Sequence, residues 1–244
     1  MSADLSYWAK SNPGVAFEET RKQFFGKFLI KVAYEFQSAC YINKAKPGKM
    51  QEYINWRNLQ ATIRTGSFSV GYNPYWTRDH NANTNVDLLE HFSDIKRKHD
   101  QLKYRIESRQ FGVYSSDENL LKAFNDAIDP AYKHCLHTVT SPRDSQHSDL
   151  LTNGHLLSAK KSQYKYKVML RDGKYDPVAK QQLLNYFDSL DDMVKLPKSV
   201  RTNIEKGYAY TWGSYIYTTD LSILSFVSLI VPGIVGTTHE ITKI

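Results

Sequence analysis

The alternation of apolar and polar positions is clearest in the second half of the chain. Tyr164–Leu170 (YKYKVML) interleaves aromatic and aliphatic residues with lysines at a period of two, which predicts a strand. Asp172-Gly173 turns it. Asp176-Pro177 then opens a helix, because Asp accepts the first free amide protons and Pro suits the first helical position. Ala179, Leu183, Phe187 and Leu190 fall on one face of that helix. Met193–Leu196 predicts a short strand stopped by Pro197. Tyr208–Thr218 (YAYTWGSYIYT) predicts a third strand with Gly213 as a bulge. Thr219 or Asp220 caps a helix over Leu221–Ile230, and Ile234–Ile241 supplies the last strand.

The first half repeats this outline with insertions. Lys27–Phe36 predicts a strand that runs on toward Cys40–Ile42, and Pro47-Gly48 precedes a helix through Ile63. A polar, aromatic stretch covers Gly71–Asn85. A helix over Val86–His99 aligns Leu88, Phe92, Ile95 and His99. Strands follow at Lys103–Glu107 and Phe111–Ser115, then a helix capped by Asp117 with Leu121, Phe124 and Ile128 on one face. Tyr132–Thr140 closes the half. Each half thus reads β-α-β-β-α-β, so the expected fold is α+β, two tandem ferredoxin-like (βαββαβ) units, the first with insertions. The expected boundaries are 1–145 for the first unit, 146–163 for a connection rich in Ser, Asp, Asn and His, and 164–244 for the second unit.

An internal repeat supports that division. VYSSDENLL (Val113–Leu121) and IYTTDLSIL (Ile216–Leu224) share a strand end, a pair of hydroxyl residues, an Asp and a helix start. A His-x-x-Thr follows each, His137–Thr140 and His239–Thr242. The interval from Asp117 to His137 is 20 residues and from Asp220 to His239 it is 19. Two features at matching intervals point to duplication.

Composition narrows the function classes. With 244 residues, 41% hydrophobic and 23% charged, the chain has a globular balance, and its 17 Tyr and 11 Phe suit aromatic sheet faces. Leu221–Gly236 is uncharged, but a bilayer core needs roughly 20 apolar residues. Pro232-Gly233 breaks the run, and Ser222, Ser225 and Ser228 give it a polar edge, so no membrane partner is expected. The start of the chain lacks the basic-then-apolar pattern of a secretory leader. Cys40 and Cys135 are too few for a disulfide framework and read as reduced thiols, consistent with a cytoplasmic protein. The net charge is +7, spread over both halves: 20 Lys/Arg against 17 Asp/Glu in residues 1–150, and 12 against 8 in 151–244. That balance favours anionic partners, nucleic acid first.

Lys206–Tyr210 (KGYAY) is similar to the opening of the RNP1 signature of RNA-recognition motifs, in which a basic residue and Gly precede alternating aromatics. Thr211 and Gly213 stand where that family has a branched aliphatic and an aromatic. The resemblance implies stacking of bases on Tyr208, Tyr210 and Trp212, with Lys206 beside them and Tyr164 and Tyr166 on the first strand. Arg109 and Phe111 occupy the equivalent strand of the first half. The expectation is therefore a non-enzymatic protein that binds single-stranded nucleic acid, RNA preferred, without cofactor. His134, Cys135 and His137 alternate across a strand and lack metal-ligand spacing, so no metal is expected. One alternative is a structural or assembly protein, such as a viral particle component, with the aromatic strands and Tyr72–His80 as protein contacts or self-association surfaces. A second is a phosphoesterase or ribonuclease using His137 and His239. Two-histidine phosphoesterases are similar in having duplicated halves, but carry His-x-Thr/Ser where this chain has His-x-x-Thr.

Overall fold

In a computed structural model, described for residues 3–66, 84–205, 210, 211 and 213–244, the chain is α+β with two five-stranded mixed sheets. It divides into two compact units. The first holds the chain up to Thr20 and Lys27–Ser148, and the second holds Arg21–Gly26 and Asp149–Ile244.

The first unit runs α1 (Leu5–Ser11), β1 (Ala16–Glu19), β2 (Ile30–Glu35), a 3₁₀ turn (Ala39–Asn43), α2 (Met50–Gly66), α3 (Val86–Lys98), β3 (Lys103–Glu107), β4 (Gln110–Ser115), α4 (Glu118–Asp126), a second 3₁₀ turn (Pro130–Cys135) and β5 (Leu136–Ser141). Helices start where the sequence supplies an acceptor: Asp4 takes the amide proton of Tyr7, Asn85 that of Leu88 and Asp117 that of Asn119. Lys96, Arg97 and Lys98 close α3, where cations suit the carbonyl end of the helix. The sheet order is β1-β5-β2-β4-β3, with β1 parallel to β5 and the other pairs antiparallel. Alternation sends Ile30, Val32 and Tyr34 of β2 to the same side as Phe111, Val113 and Val139. Phe92 of α3 and Phe124 of α4 pack on that side, with ring centroids 5.4 and 5.8 Å from Tyr34.

The second unit runs β6 (Leu156–Ser158), β7 (Tyr166–Leu170), β8 (Gly173–Lys174), α6 (Pro177–Asp188), β9 (Val194–Lys195), α7 (Lys198–Glu205), β10 (Tyr210–Thr211), β11 (Tyr215–Thr218), α8 (Ile223–Ile230) and β12 (Val235–Lys243). Helix α5 (Ser145–Thr152) spans the boundary between the units. The sheet order is β6-β12-β7-β11-β9, with β6 parallel to β12 and the rest antiparallel. Val168, Leu170 and Ile216 face Leu183 and Phe187 of α6 and Val227 of α8 in its core.

The two sheets share one connectivity. In each, a helix and an edge strand precede four antiparallel strands, and the edge strand lies parallel against the last of them. The register matches too. Val32 pairs with Val113 and Lys31 with Tyr114; in the second unit Val168 pairs with Ile216 and Lys167 with Tyr217. The repeat read in VYSSD and IYTTD therefore occupies one structural position twice. Both closing strands also carry an irregularity one step past the matched pairs, between the partners of Ala33 and Tyr34 and between Val235 and Thr238.

Several expected boundaries differ. The single third strand over Tyr208–Thr218 is split at Gly213, which has φ +56° and donates its N–H to Asp172 Oδ1 at 2.7 Å. Tyr210–Thr211 consequently pairs with β8 in a separate two-stranded ladder, and only Tyr215–Thr218 joins the main sheet. Cys40–Ile42 lies in a 3₁₀ turn entered through Ser38 at φ +60°. Tyr132–Cys135 is likewise a 3₁₀ turn, opened by Pro130 and capped by Asp129. The stretch 146–163 contains most of α5 and all of β6. Lys206, Tyr208, Trp212 and Tyr72–His80 lie outside the described residues. Among the described residues no helix is long and apolar enough to cross a membrane.

Candidate nucleic-acid interface

A sheet covered by helices on one side presents its other side at alternate strand positions. In the second unit the residues sharing the face opposite Val168 and Ile216 form one row across four strands. Lys195 of β9 is opposite Tyr217 of β11, Tyr217 opposite Lys167 of β7, and Lys167 opposite His239 of β12. Tyr215 stands beside this row, opposite Met169. Lys167 Nζ lies 3.9 Å from the Tyr215 ring centroid and 6.0 Å from that of Tyr217, a cation–π arrangement. Tyr215 and Tyr217 meet edge to face at 5.4 Å. Tyr164, just before β7, stacks on Tyr217 at 6.1 Å and 29°. Desolvation, with the like charge of Lys22 added, holds Lys167 below the ordinary lysine range. An ammonium so placed gains from a phosphate partner.

His239 ends the row. Its Nδ1 lies 3.1 Å from the Gly154 carbonyl oxygen. A carbonyl can only accept, so Nδ1 carries the proton, and in the neutral ring the lone pair is on Nε2. Among the described residues Nε2 has no hydrogen-bond partner.

The first unit repeats this row with different chemistry. Lys103, Tyr114, Lys31 and Thr140 stand in register, so Thr140 is the counterpart of His239. The Thr140 hydroxyl donates to Glu18 Oε2 at 3.3 Å, and Lys31 Nζ is bound to Gln110 Oε1 at 3.0 Å. Tyr114 is only 6% exposed. On this face Lys31, Lys103 and Arg105 are matched by Glu18, Glu35 and Glu107, a net charge of zero. The second unit places Lys167, Lys195 and Lys243 on its face, and among the described residues no carboxylate stands at a strand position there.

The residues singled out from sequence fall as follows. Tyr164 joins the ring cluster. Tyr166 shares the side of Val168, with Lys165 Nζ 5.1 Å from its ring. Tyr210 sits on β10, away from the main sheet. Arg109, in the turn between β3 and β4, lines a cleft with Asn12, Glu35, His134 and His137. Phe111 is wholly buried and lies parallel to Phe124 at 6.1 Å, because it pairs with Tyr34 on the helix-covered side. A one-residue difference in register separates it from the open face, which Gln110, Gly112 and Tyr114 occupy.

His137 belongs to the first unit and His239 to the second. His137 sits at the irregularity of β5, its Nδ1 2.6 Å from Thr138 Oγ1 and its Nε2 3.5 Å from Glu35 Oε2. Because Thr140 is the counterpart of His239, the two His-x-x-Thr segments are offset by three residues rather than equivalent. Burial pushes the Cys135 thiol up to about 11, which keeps it protonated beside His134. Among the described residues no group of three metal-ligating side chains converges.

Tyr215, Tyr217 and Lys195 were not among the sequence candidates for this face. The signal that marks them is the repeat: Tyr114 and Tyr217 hold the same place in VYSSD and IYTTD. Compared with known proteins, the chain matches no family model, no curated sequence and no solved structure.

Proposed function

We propose that the chain is a tandem of two ferredoxin-like units whose second sheet binds single-stranded nucleic acid. The Lys195–Tyr217–Lys167–His239 row carries this reading, with Tyr164 and Tyr215 flanking it. Rings on neighbouring strands give bases a surface to stack on, at roughly 1–3 kcal/mol per base, and lysines between them track the phosphates. The antiparallel order β5-β2-β4-β3 in the first unit and β12-β7-β11-β9 in the second supports the βαββαβ part of this reading. Fluorescence anisotropy of a labelled single strand, titrated at low and high salt, tests the proposal. Tyr217→Ala should weaken binding about tenfold, within the range expected for one lost stack. Lys167→Ala should weaken it and flatten the dependence of log affinity on log salt by about one contact. An absence of binding at low salt, or wild-type affinity in both variants, would overturn it.

A second reading, protein assembly, is favoured by the helix side of the same unit. Phe226 is 59% and Leu229 74% exposed on α8, and Val178 is 66% exposed on α6. Salt-resistant oligomers in sizing experiments, dispersed by Phe226→Lys, would support this reading.

A further inference from the structure

We propose that His239 is the residue by which this face distinguishes RNA from DNA, accepting a hydrogen bond from a ribose 2′-hydroxyl. The inference rests on the single-strand reading above and narrows it. The Gly154 carbonyl fixes the imidazole with its proton on Nδ1, so Nε2 offers a lone pair and no competing donor. A 2′-hydroxyl is a donor that such an acceptor recognises, and it is the group by which a protein tells RNA from DNA. DNA offers nothing there, which leaves the acceptor to water.

Register sets the geometry of the contact. Strands lie about 4.8 Å apart, so Tyr217 and His239 are separated by about two spacings with Lys167 between them. A base stacked on Tyr217 and a phosphate over Lys167 direct the next ribose toward His239. The first unit lacks the device, since the hydroxyl of Thr140 is directed at Glu18, whose carboxylate opposes a phosphate. The second unit has the Gly154 backbone in that place.

Matched single strands of RNA, DNA and 2′-fluoro RNA, titrated against wild-type protein and His239 variants, test the idea. The fluoro strand keeps the RNA sugar shape and lacks the donor. Wild-type protein should bind RNA about five- to tenfold more tightly than either analogue, the size of one hydrogen bond. His239→Ala should abolish that difference by bringing RNA affinity down to that of the DNA strand, and an unchanged far-ultraviolet circular dichroism spectrum checks that the sheet is intact. His239→Gln, which restores an acceptor, should recover part of the preference. Equal wild-type affinity for RNA and the fluoro strand, or equal loss of both in His239→Ala, would overturn the role of His239 and leave the interface standing. An absence of binding to all three strands would overturn the interface and this role with it.

Discussion

Tyr34 and Asn125 form the buried polar centre of the first unit, and their coupling has a calculable sign. The Tyr34 hydroxyl, wholly buried, donates to Asn125 Oδ1 at 3.2 Å. Asn125 Nδ2 donates to Tyr7 Oη and Ser11 Oγ, each at 3.0 Å. Asn125→Leu removes three hydrogen bonds of about 1 kcal/mol each and leaves the Tyr34 hydroxyl buried without an acceptor, a further ~1–3 kcal/mol. The added apolar side chain returns part of this, so a net loss of about 3 kcal/mol is expected. Tyr34→Phe alone keeps the ring packing and should cost about 1 kcal/mol. In the Asn125→Leu background the same change removes an orphaned hydroxyl and should instead stabilise the unit by about 1 kcal/mol. Cys135, 4% exposed in the same unit, supplies the assay. Its alkylation under native conditions requires the unit to open, and a loss of 3 kcal/mol corresponds to a rate increase of about 150-fold. Mass analysis of the Cys135 peptide keeps the signal separate from Cys40. Equal effects of Tyr34→Phe in both backgrounds would refute the argument that the hydroxyl depends on Asn125.

Three further outcomes follow from single sites. A Cβ at Gly236 would stand 2.9 Å from the Met169 carbonyl oxygen, at the irregularity of β12; Gly236→Ala should destabilise the second unit by about 1–3 kcal/mol, read as faster amide exchange in β7 and β12. Asp176 accepts the N–H groups of Val178 and Ala179 at 2.8 and 3.1 Å; Asp176→Ala should cost about 1 kcal/mol in chemical unfolding, and Asp176→Ser much less. Desolvation raises the Tyr7 phenol from 10.0 to about 12, and raises Tyr34 and Tyr104 as well. These folded-state values lie above the unfolded ones, so their contribution is complete below pH 10 and is lost as pH rises toward 12. The melting temperature of the first unit should fall across that window, and a rise would contradict the assignment.

Elements whose signal is local could be read from sequence. Asp176-Pro177 and Asp117 mark their helix starts through the cap bonds that form them, and YKYKVML contains β7. The long apolar faces of α3 and α4 point at the core as their spacing required. Signals that depend on partners were less legible. AFEE (β1) and LLS (β6) are too short to show alternation, and become strands only by lying parallel to β5 and β12. Tyr208–Thr218 has strand chemistry throughout, and the break at Gly213 depends on the distant Asp172 carboxylate. The site shows the same division. Aromatics on the third strand were foreseeable as a class, whereas the identity of Tyr215 and Tyr217 required the register, because one residue of slip exchanges the two faces.

That register also explains why two sheets of like strand order present different surfaces. Gly112 and Tyr215 hold equivalent positions, opposite Ala33 and Met169 one step from the lysine–tyrosine pair. In the first unit the absent side chain at Gly112 lets Tyr114 lie down on the strand, so close that an added Cβ would meet its hydroxyl at 2.9 Å. In the second unit the Tyr215 ring fills that space and meets Tyr217 edge to face. Tyr217 cannot lie down over the neighbouring strand position, and stacks against Tyr164 instead. Lys167 is then held over Tyr215 rather than drawn to a side-chain amide as Lys31 is to Gln110. One glycine-for-tyrosine difference therefore separates a nearly covered ring from a stacked pair, and one threonine-for-histidine difference converts a hydroxyl directed at Glu18 into an acceptor with a free lone pair. With the same strand order and the same lysine–tyrosine–lysine row, the first sheet pairs Lys31 and Thr140 with its own side chains, whereas in the second the Nε2 of His239 has no hydrogen-bond partner among the described residues.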